Sequence, residues 1–323
     1  MVKNKPTFIS LFAGCGGSSL GYKWAGFHEL LAIDFDKNAV ETFKLNFPDT
    51  PCWERDLRTV TGKEIMDFCH IKEGELDLLD ASPPCQGFST SGKRKVNDPR
   101  NDLFLEFVRL VKELNPKVFV MENVSGMVKG KMKGRFIEIM KTLKALPYKV
   151  RCKLMNAMFY GVPQSRQRLI WIGIRNDLNI EPSYPKPQSK IITVKEALKG
   201  VENKTFIDPG EKLRKLWFKM KWGGDGALGK KNNRRNFNTK KLHPNKPSFT
   251  LPKMIGTNMA LIMHWREPRS LTIEEAKRIQ SFPDDFIFIG DFREQWARIG
   301  NSVPPKFMEA IAREIKRQVF DRI

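Results

Sequence analysis

The feature that most restricts this chain is an alternation in its first half. Short apolar runs are each followed by a stretch of helical periodicity. Phe8-Ile9-Ser10-Leu11-Phe12 reads as a buried strand that ends in a glycine cluster. Leu30-Leu31-Ala32-Ile33-Asp34 reads as a second strand, followed by a helix carrying Val40, Phe43 and Phe47. Leu76-Asp77-Leu78-Leu79-Asp80 is a third, and the next helix sets Leu103, Phe107, Leu110, Val111 and Leu114 on one face. Val118-Phe119-Val120-Met121 is a further strand, followed by a helix with Phe136, Ile139, Met140, Leu143 and Leu146 in register. Leu169-Ile170-Trp171-Ile172-Gly173-Ile174 closes the series. Strands alternating with helices of this length mean βαβ units, hence an α/β fold with a mainly parallel sheet and helices on both faces.

The pattern changes near residue 176. Residues 181–187 hold three prolines, a linker signal. Thr193-Val194-Lys195-Glu196 is a capping box, and Gly200 is the expected end of the helix it starts. Periodicity is then weak until about residue 270. Within that stretch, residues 211–253 carry 13 Lys or Arg against 2 Asp or Glu, over half the net charge of +21. Gly223, Gly224, Gly226 and Gly229 predict a flexible segment there. Thr272-Ile273-Glu274-Glu275 is a second capping box, and a last helix after Pro304-Pro305 carries Phe307, Ile311, Ile315 and Val319.

Composition narrows the function classes. The 57 Lys and Arg against 36 Asp and Glu point to a polyanion, with nucleic acid the first candidate and an anionic membrane the second. No apolar run reaches the ~18 residues of a membrane helix. With 41% hydrophobic and 29% charged residues, disorder and collagen are excluded. Cys15, Cys52, Cys69, Cys85 and Cys152 are odd in number and form no C-x-x-C pair, which predicts free thiols in a reducing compartment. His28, His70, His243 and His264 lack metal-ligand spacing, so no metal is expected. Lys3 and Lys5 precede the apolar stretch Phe8–Cys15, but it sits at the bottom of the ~7–15-residue range of an export signal and Ser10 breaks it. A cytoplasmic protein is the expectation.

Four segments carry candidate chemistry. Phe12-Ala13-Gly14-Cys15-Gly16-Gly17-Ser18-Ser19-Leu20 joins a strand to a helix, and Asp34 stands 20 positions after Gly14 at the end of the next strand. That is the spacing of a phosphate loop and its ribose-binding carboxylate. Ser19 replaces the third glycine of the dinucleotide fingerprint, so a nucleoside without pyrophosphate fits as well as a dinucleotide, and a bare glycine turn fits too. Asp80-Ala81-Ser82-Pro83-Pro84-Cys85-Gln86-Gly87-Phe88-Ser89 follows the third strand. Cys85 there is either a nucleophile of fixed position or a small residue buried in a proline turn. Glu122, at the end of the next strand, is either an acid or a helix cap. Arg166 and Arg168 alternate, so in extended chain they share a face and either grip an anion or are solvated.

Taken in order, these segments resemble the C5-cytosine DNA methyltransferase family. Phe12-Ala13-Gly14 with Gly16-Gly17 is similar to its cofactor loop, Asp34-Phe35 to its ribose- and adenine-contacting pair, and Asp56-Leu57 to the segment facing the adenine amine. Pro84-Cys85-Gln86, Glu122-Asn123-Val124 and Gln164-Ser165-Arg166-Gln167-Arg168 are similar to its nucleophile, glutamate and Q-x-R-x-R motifs. Gln280-Ser281-Phe282-Pro283 and Gly300-Asn301-Ser302-Val303-Pro304 are similar to its last two. The matching blocks span residues 8 to about 174 and about 266 to 307. The basic segment between them falls where the family places its variable target-recognition region.

The resemblance implies an enzyme with a Rossmann-like sheet that uses S-adenosylmethionine, releases S-adenosylhomocysteine and methylates C5 of a flipped cytosine in duplex DNA. Cys85, Glu122, Arg166 and Arg168 are the implied catalytic residues. Pro83, Leu103, Asn301 and Val303 join Phe12, Ala13, Gly14, Gly16, Gly17, Asp34, Phe35, Asp56 and Leu57 as implied cofactor contacts. Gln86, Ser89, Ser91, Lys93, Arg94, Arg234, Arg235 and Thr250 are the implied DNA contacts. Residues 1–185 and 285–323 are expected to form the catalytic and cofactor-binding domain, and residues 186–284 the target-recognition domain. The implied partner is double-stranded DNA, not a membrane, with the protein a nucleoid-associated monomer and a restriction endonuclease acting separately. A tRNA methyltransferase of the same superfamily, a non-catalytic DNA-binding relative and a dinucleotide oxidoreductase are the alternatives.

Overall fold

A computed structural model describes residues 5–84, 103–128, 133–201, 205–226, 239–256 and 261–322. Seven strands form one sheet: β1 (Thr7–Leu11), β2 (His28–Asp34), β3 (Cys52–Glu54), β4 (Leu78–Ala81), β5 (Val118–Val124), β6 (Tyr148–Asn156) and β7 (Gln167–Arg175). Their order is β3-β2-β1-β4-β5-β7-β6. The pairs β1–β2, β2–β3, β1–β4 and β4–β5 are parallel, and β7 enters antiparallel to β5. The chain therefore steps outward from β1 through β2 to β3, then returns to the other side of β1 with β4. That reversal creates a switch point between β1 and β4, where such sheets bind ligands.

The apolar runs become strands because both sheet faces are covered. Ile9, Leu11, Leu31, Ile33, Leu79, Phe119 and Trp171 are buried in one core with Phe107 and Leu110 of α4 (Leu103–Leu114). The other helices here are α1 (Gly17–Trp24), α2 (Lys37–Asn46), α3 (Gly62–Cys69) and α5 (Lys133–Lys144). Asp36 caps α2 by accepting from the Ala39 N–H at 3.2 Å, and Thr61 caps α3 from the Glu64 N–H at 3.2 Å. Two strands were not legible as apolar runs. β3 has only 3 residues, and β6 exposes Arg151 and Lys153 along its length.

By internal contacts the chain forms two compact units, Met1–Met155 with Gln167–Lys186 and Met308–Ile323, and Asn156–Arg166 with Pro187–Phe307. The second unit contains α6 (Val194–Ala197), α7 (Gly210–Lys219), β8 (Thr239–Lys241), β9 (Leu261–Met263), α8 (Ile273–Ile279) and α9 (Phe292–Asn301). Both expected capping boxes are present, at Thr193 with Glu196 and at Thr272 with Glu275. α6 stops at Ala197, ahead of Gly200, which has φ +72°. Two expectations are corrected. α7 lies inside the stretch of weak periodicity, because only Leu213 and Trp217 are buried and basic residues interleave its apolar ones. Gly223, Gly224 and Gly226 are not a free flexible run, since their N–H groups donate to the Lys241, Lys221 and Thr239 carbonyls. Among the described residues, no helix is long and apolar enough to cross a membrane.

Candidate active site

The glycine loop sits at the carboxyl end of β1, on the switch point. Its backbone turns through left-handed conformations at Phe12 (φ 56°), Gly14 (φ 57°) and Gly16 (φ 93°). A bulky residue such as Phe12 is held there only if its surroundings enforce it, a strain that concentrates at binding sites. Here the Ala13 N–H donates to the Ile33 carbonyl at 3.0 Å. Gly16 must lack a side chain, because a Cβ would lie 2.2 Å from the Phe47 ring. A Cβ on Gly14, by contrast, would meet nothing within 4 Å, so the loop has open space above it. Gly17 opens α1, whose first N–H groups receive no side-chain cap.

Asp34 closes the end of β2. One carboxylate oxygen accepts from the Gly14 N–H at 2.8 Å, the other from the Asp36 N–H at 2.9 Å. Next to it Phe35 is 68% exposed, an uncovered ring beside a carboxylate. Asp56 caps a short 3₁₀ turn and pairs with Arg58, whose hydrogen bond holds its carboxyl below the usual range. Leu57 is buried, and its carbonyl accepts from Arg109 at 3.0 Å. Leu103 is half-buried at the start of α4. These groups fit a nucleoside: an open glycine turn, a carboxylate for a ribose, and a flat apolar surface for a base.

The neighbouring strand ends carry the second cluster. The buried Asn123 side chain donates to the Pro83 carbonyl at 3.2 Å, tying the end of β5 to the turn after β4. Arg168 Nε meets Glu122 Oε1 at 2.7 Å, with side chains 12% and 11% exposed. Burial pushes the Arg168 guanidinium down, opposed by the Glu122 charge. The antiparallel direction of β7 makes the pair possible. Glu122 lies opposite Ile170 and Val124 opposite Arg168, so the two side chains are diagonal neighbours on one face. A parallel strand would have delivered Arg168 to the opposite edge of the sheet.

Below the glycine loop runs a polar network that sequence reasoning missed. Ser19, at the third-glycine position, donates to Glu29 at 2.7 Å, and Tyr22 donates to Asp80 at 3.1 Å. Burial raises the Glu29 carboxyl to about 8 and the Asp80 carboxyl to about 7. Nothing in the strand pattern distinguishes Glu29 from a surface residue at a strand's first turn. Only its burial does.

Other motif residues converge within the second unit. Gln164 donates to the Gln280 side-chain oxygen, and Gln280 donates to the Ser302 carbonyl. The Leu251 N–H donates to Gln164 at 3.1 Å. Arg166 is buried, and its guanidinium donates to the Leu251 carbonyl at 3.3 Å and the Gly300 carbonyl at 3.1 Å. The shared face expected for Arg166 and Arg168 is thus corrected. Arg168 is in β7 beside Glu122, while Arg166 precedes the strand and is spent on backbone carbonyls. Thr250 is exposed, with its hydroxyl donating to the Ser165 carbonyl at 2.8 Å. Asn301 is exposed at the end of α9, and Val303 is buried.

Cys85, Gln86, Ser89, Ser91, Lys93, Arg94, Arg234 and Arg235 lie outside the described residues. Cys52, Cys69 and Cys152 are free thiols that burial pushes up to about 12, 11 and 12, away from thiolate character. His264 is a satisfied core histidine, pushed down to about 4 by burial, with Nδ1 accepting from the Arg266 and Glu267 N–H groups. A depression lined by Glu73, Asn115 and Arg175 lies at the amino ends of β4 and β5, away from the glycine loop.

A family model described as C-5 cytosine-specific DNA methylase matches residues 6–317. The chain is 35% identical to the Type II methyltransferase M1.HphI of Haemophilus parahaemolyticus, over 96% of this chain and 86% of that protein. It is 33% identical to the Type II methyltransferase M.DdeI of Desulfomicrobium norvegicum, over 95% and 88%. Among solved structures it is similar to a putative DNA modification methyltransferase encoded within an E. coli prophage, with a TM-score of 0.81 and 26% identity over 97% and 99% of the two chains.

Proposed function

The chain belongs to the C-5 cytosine-specific DNA methylase family, and on that premise we propose that it methylates C5 of one cytosine in a specific duplex sequence through a covalent enzyme–base intermediate. S-adenosylmethionine supplies the electrophilic methyl group and leaves as S-adenosylhomocysteine. The glycine loop, Asp34 and Phe35 hold its nucleoside, with the Asp56–Leu57 turn, Pro83 and Leu103 completing the pocket. The target carbon is unreachable in a stacked duplex, so the base is flipped out, which costs a few kcal/mol. Phosphate contacts from the basic second unit offset that.

The Cys85 thiolate adds to C6 of the extruded ring, and the electron pair of the C5–C6 bond becomes available at C5. Glu122 delivers a proton to N3 as the thiolate adds and accepts from the exocyclic amine with its other oxygen, neutralising the charge that this addition places on the ring. After the methyl joins C5, solvent water takes the C5 proton, the C5–C6 double bond re-forms and the C6–Sγ bond breaks, releasing the Cys85 thiolate by β-elimination. Arg168 keeps the Glu122 carboxylate in place, and Asn123 fixes the turn that leads to Cys85. Arg166 acts as a positioning residue through the Leu251 and Gly300 carbonyls. The Type II relatives favour a modification enzyme paired with a separately acting restriction endonuclease.

The observation that carries this reading is the buried Glu122–Arg168 pair at the carboxyl end of β5, next to the Asn123-pinned Pro83. Duplex DNA substituted with 5-fluorocytosine tests it, because a missing C5 proton blocks release. With the methyl donor, the wild-type protein should form a denaturant-resistant complex, and Cys85→Ser should bind DNA without forming it. Turnover retained by Cys85→Ser, or transfer to tRNA in place of duplex DNA, overturns the reading.

A further inference from the structure

The second unit carries an exposed cationic stripe on α7 whose residues have no role assigned in the chemistry above. Leu213 and Trp217 are buried on one side of α7, while Lys212, Lys215 and Lys219 recur on its solvent side. Phe218 is 72% exposed among them, and Lys221 and Trp222 (54% exposed) continue the surface. Lys215 pairs with Glu211 and Arg214 with Asp208. Lys212, Lys219 and Lys221 form no ion pair among the described residues. From Lys212 to Lys219 the helix rises about 10 Å, roughly three successive phosphates along one DNA strand.

The surface is held rigidly from beneath. Trp217 Nε1 donates to the His264 carbonyl at 2.7 Å. Lys241 Nζ sits 3.5 Å from the Trp217 ring centroid and donates to the Trp217 and Met220 carbonyls, each at 3.2 Å. It thereby caps the carbonyl end of α7. Trp222 Nε1 donates to the Trp265 carbonyl at 3.2 Å, and its ring leans on His243. The one polar atom of that indole is thus already used, and what it offers solvent is an apolar face.

We propose that the solvent side of α7, continued by Lys221 and Trp222, docks the sugar–phosphate backbone of duplex DNA. Lys212, Lys219 and Lys221 neutralise phosphates, and Trp222 packs on a deoxyribose. The inference rests on the DNA methyltransferase reading and adds a contact that supplies affinity and register without reading sequence.

Equilibrium binding of the full-length protein tests it, using a duplex that contains the mapped target and a scrambled duplex. The triple variant Lys212→Gln/Lys219→Gln/Lys221→Gln should weaken binding to both equally. Between about 50 and about 200 mM salt it should reduce the slope of log K against log[salt] by about 2–3, near 0.9 per lost phosphate contact. Trp222→Ala should weaken binding roughly threefold to tenfold at every salt concentration with the slope unchanged, because an apolar contact releases no counterions. The control Lys63→Gln/Lys72→Gln/Lys112→Gln removes the same charge from exposed positions of the first unit and should leave the slope unaltered. An unchanged slope in the α7 variant, an equal loss in the control, or a loss seen on a tRNA transcript but not on duplex DNA overturns the proposal. If the wild-type protein methylates the same duplex in a parallel methyl-transfer assay, only this surface is refuted. If it does not, the functional reading falls as well.

Discussion

At the scale of single residues, Asp34 shows how one carboxylate serves two ends. Its position 20 residues after the glycine turn is the spacing of the ribose contact proposed for it, and the structure adds that it already holds the Gly14 and Asp36 N–H groups. Removing it therefore loosens the loop as well as the proposed sugar contact. Asp34→Ala should weaken S-adenosylmethionine binding about 10- to 100-fold by calorimetry, the scale of a hydrogen bond to a charged group. Unchanged affinity would remove Asp34 from the cofactor site. Arg166 and Arg168 give the opposite lesson. Alternation in sequence makes them look equivalent, yet one meets a carboxylate and the other two carbonyls.

At the scale of elements, the two glycines Gly300 and Gly134 separate close approach from mere permissiveness. A Cβ on Gly300 would lie 2.2 Å from the Pro252 carbonyl oxygen, so the end of α9 approaches that backbone as only glycine allows. Arg166 and Trp296 both bond carbonyls at this junction, at Gly300 and Pro252. Gly300→Ala should destabilise the protein by about 1–3 kcal/mol, the usual range for overpacking, read as a lower urea midpoint. Gly134→Ala in α5 meets nothing within 4 Å and should be neutral or stabilising by up to about 1 kcal/mol. Equal effects at both sites would contradict the packing of Gly300 on Pro252. The strands separate in a similar way. Buried β1, β2, β4, β5 and β7 were legible because both faces demand apolar residues. β6 was not, because an edge strand with Arg151 and Lys153 outward has no uninterrupted run.

At the scale of the whole molecule, folding buries two carboxyls in their protonated form, and stability must respond to pH. Glu29 moves from its ordinary 4.5 to about 8 and Asp80 from 3.8 to about 7, both through burial. Between those values the folded state keeps protons that the unfolded chain has lost, so stability falls as pH rises. It is full below the unfolded values and reaches its floor once pH passes the folded ones. Glu29→Gln cannot ionise, so its melting temperature should decline less than the wild type's between about pH 5 and about pH 8. Parallel curves would mean that Glu29 is charged in the fold. The sequence by itself determined the α/β class, the glycine turn with its carboxylate, and the order of the motifs, because each is built from short local patterns and their spacing along the chain. Only the tertiary structure decided which motif side chains meet. Glu122 reaches Arg168 because β7 runs antiparallel, and Gln164 reaches Gln280 across 116 residues. Pairings at that separation depend on strand insertion and burial, which no local pattern encodes.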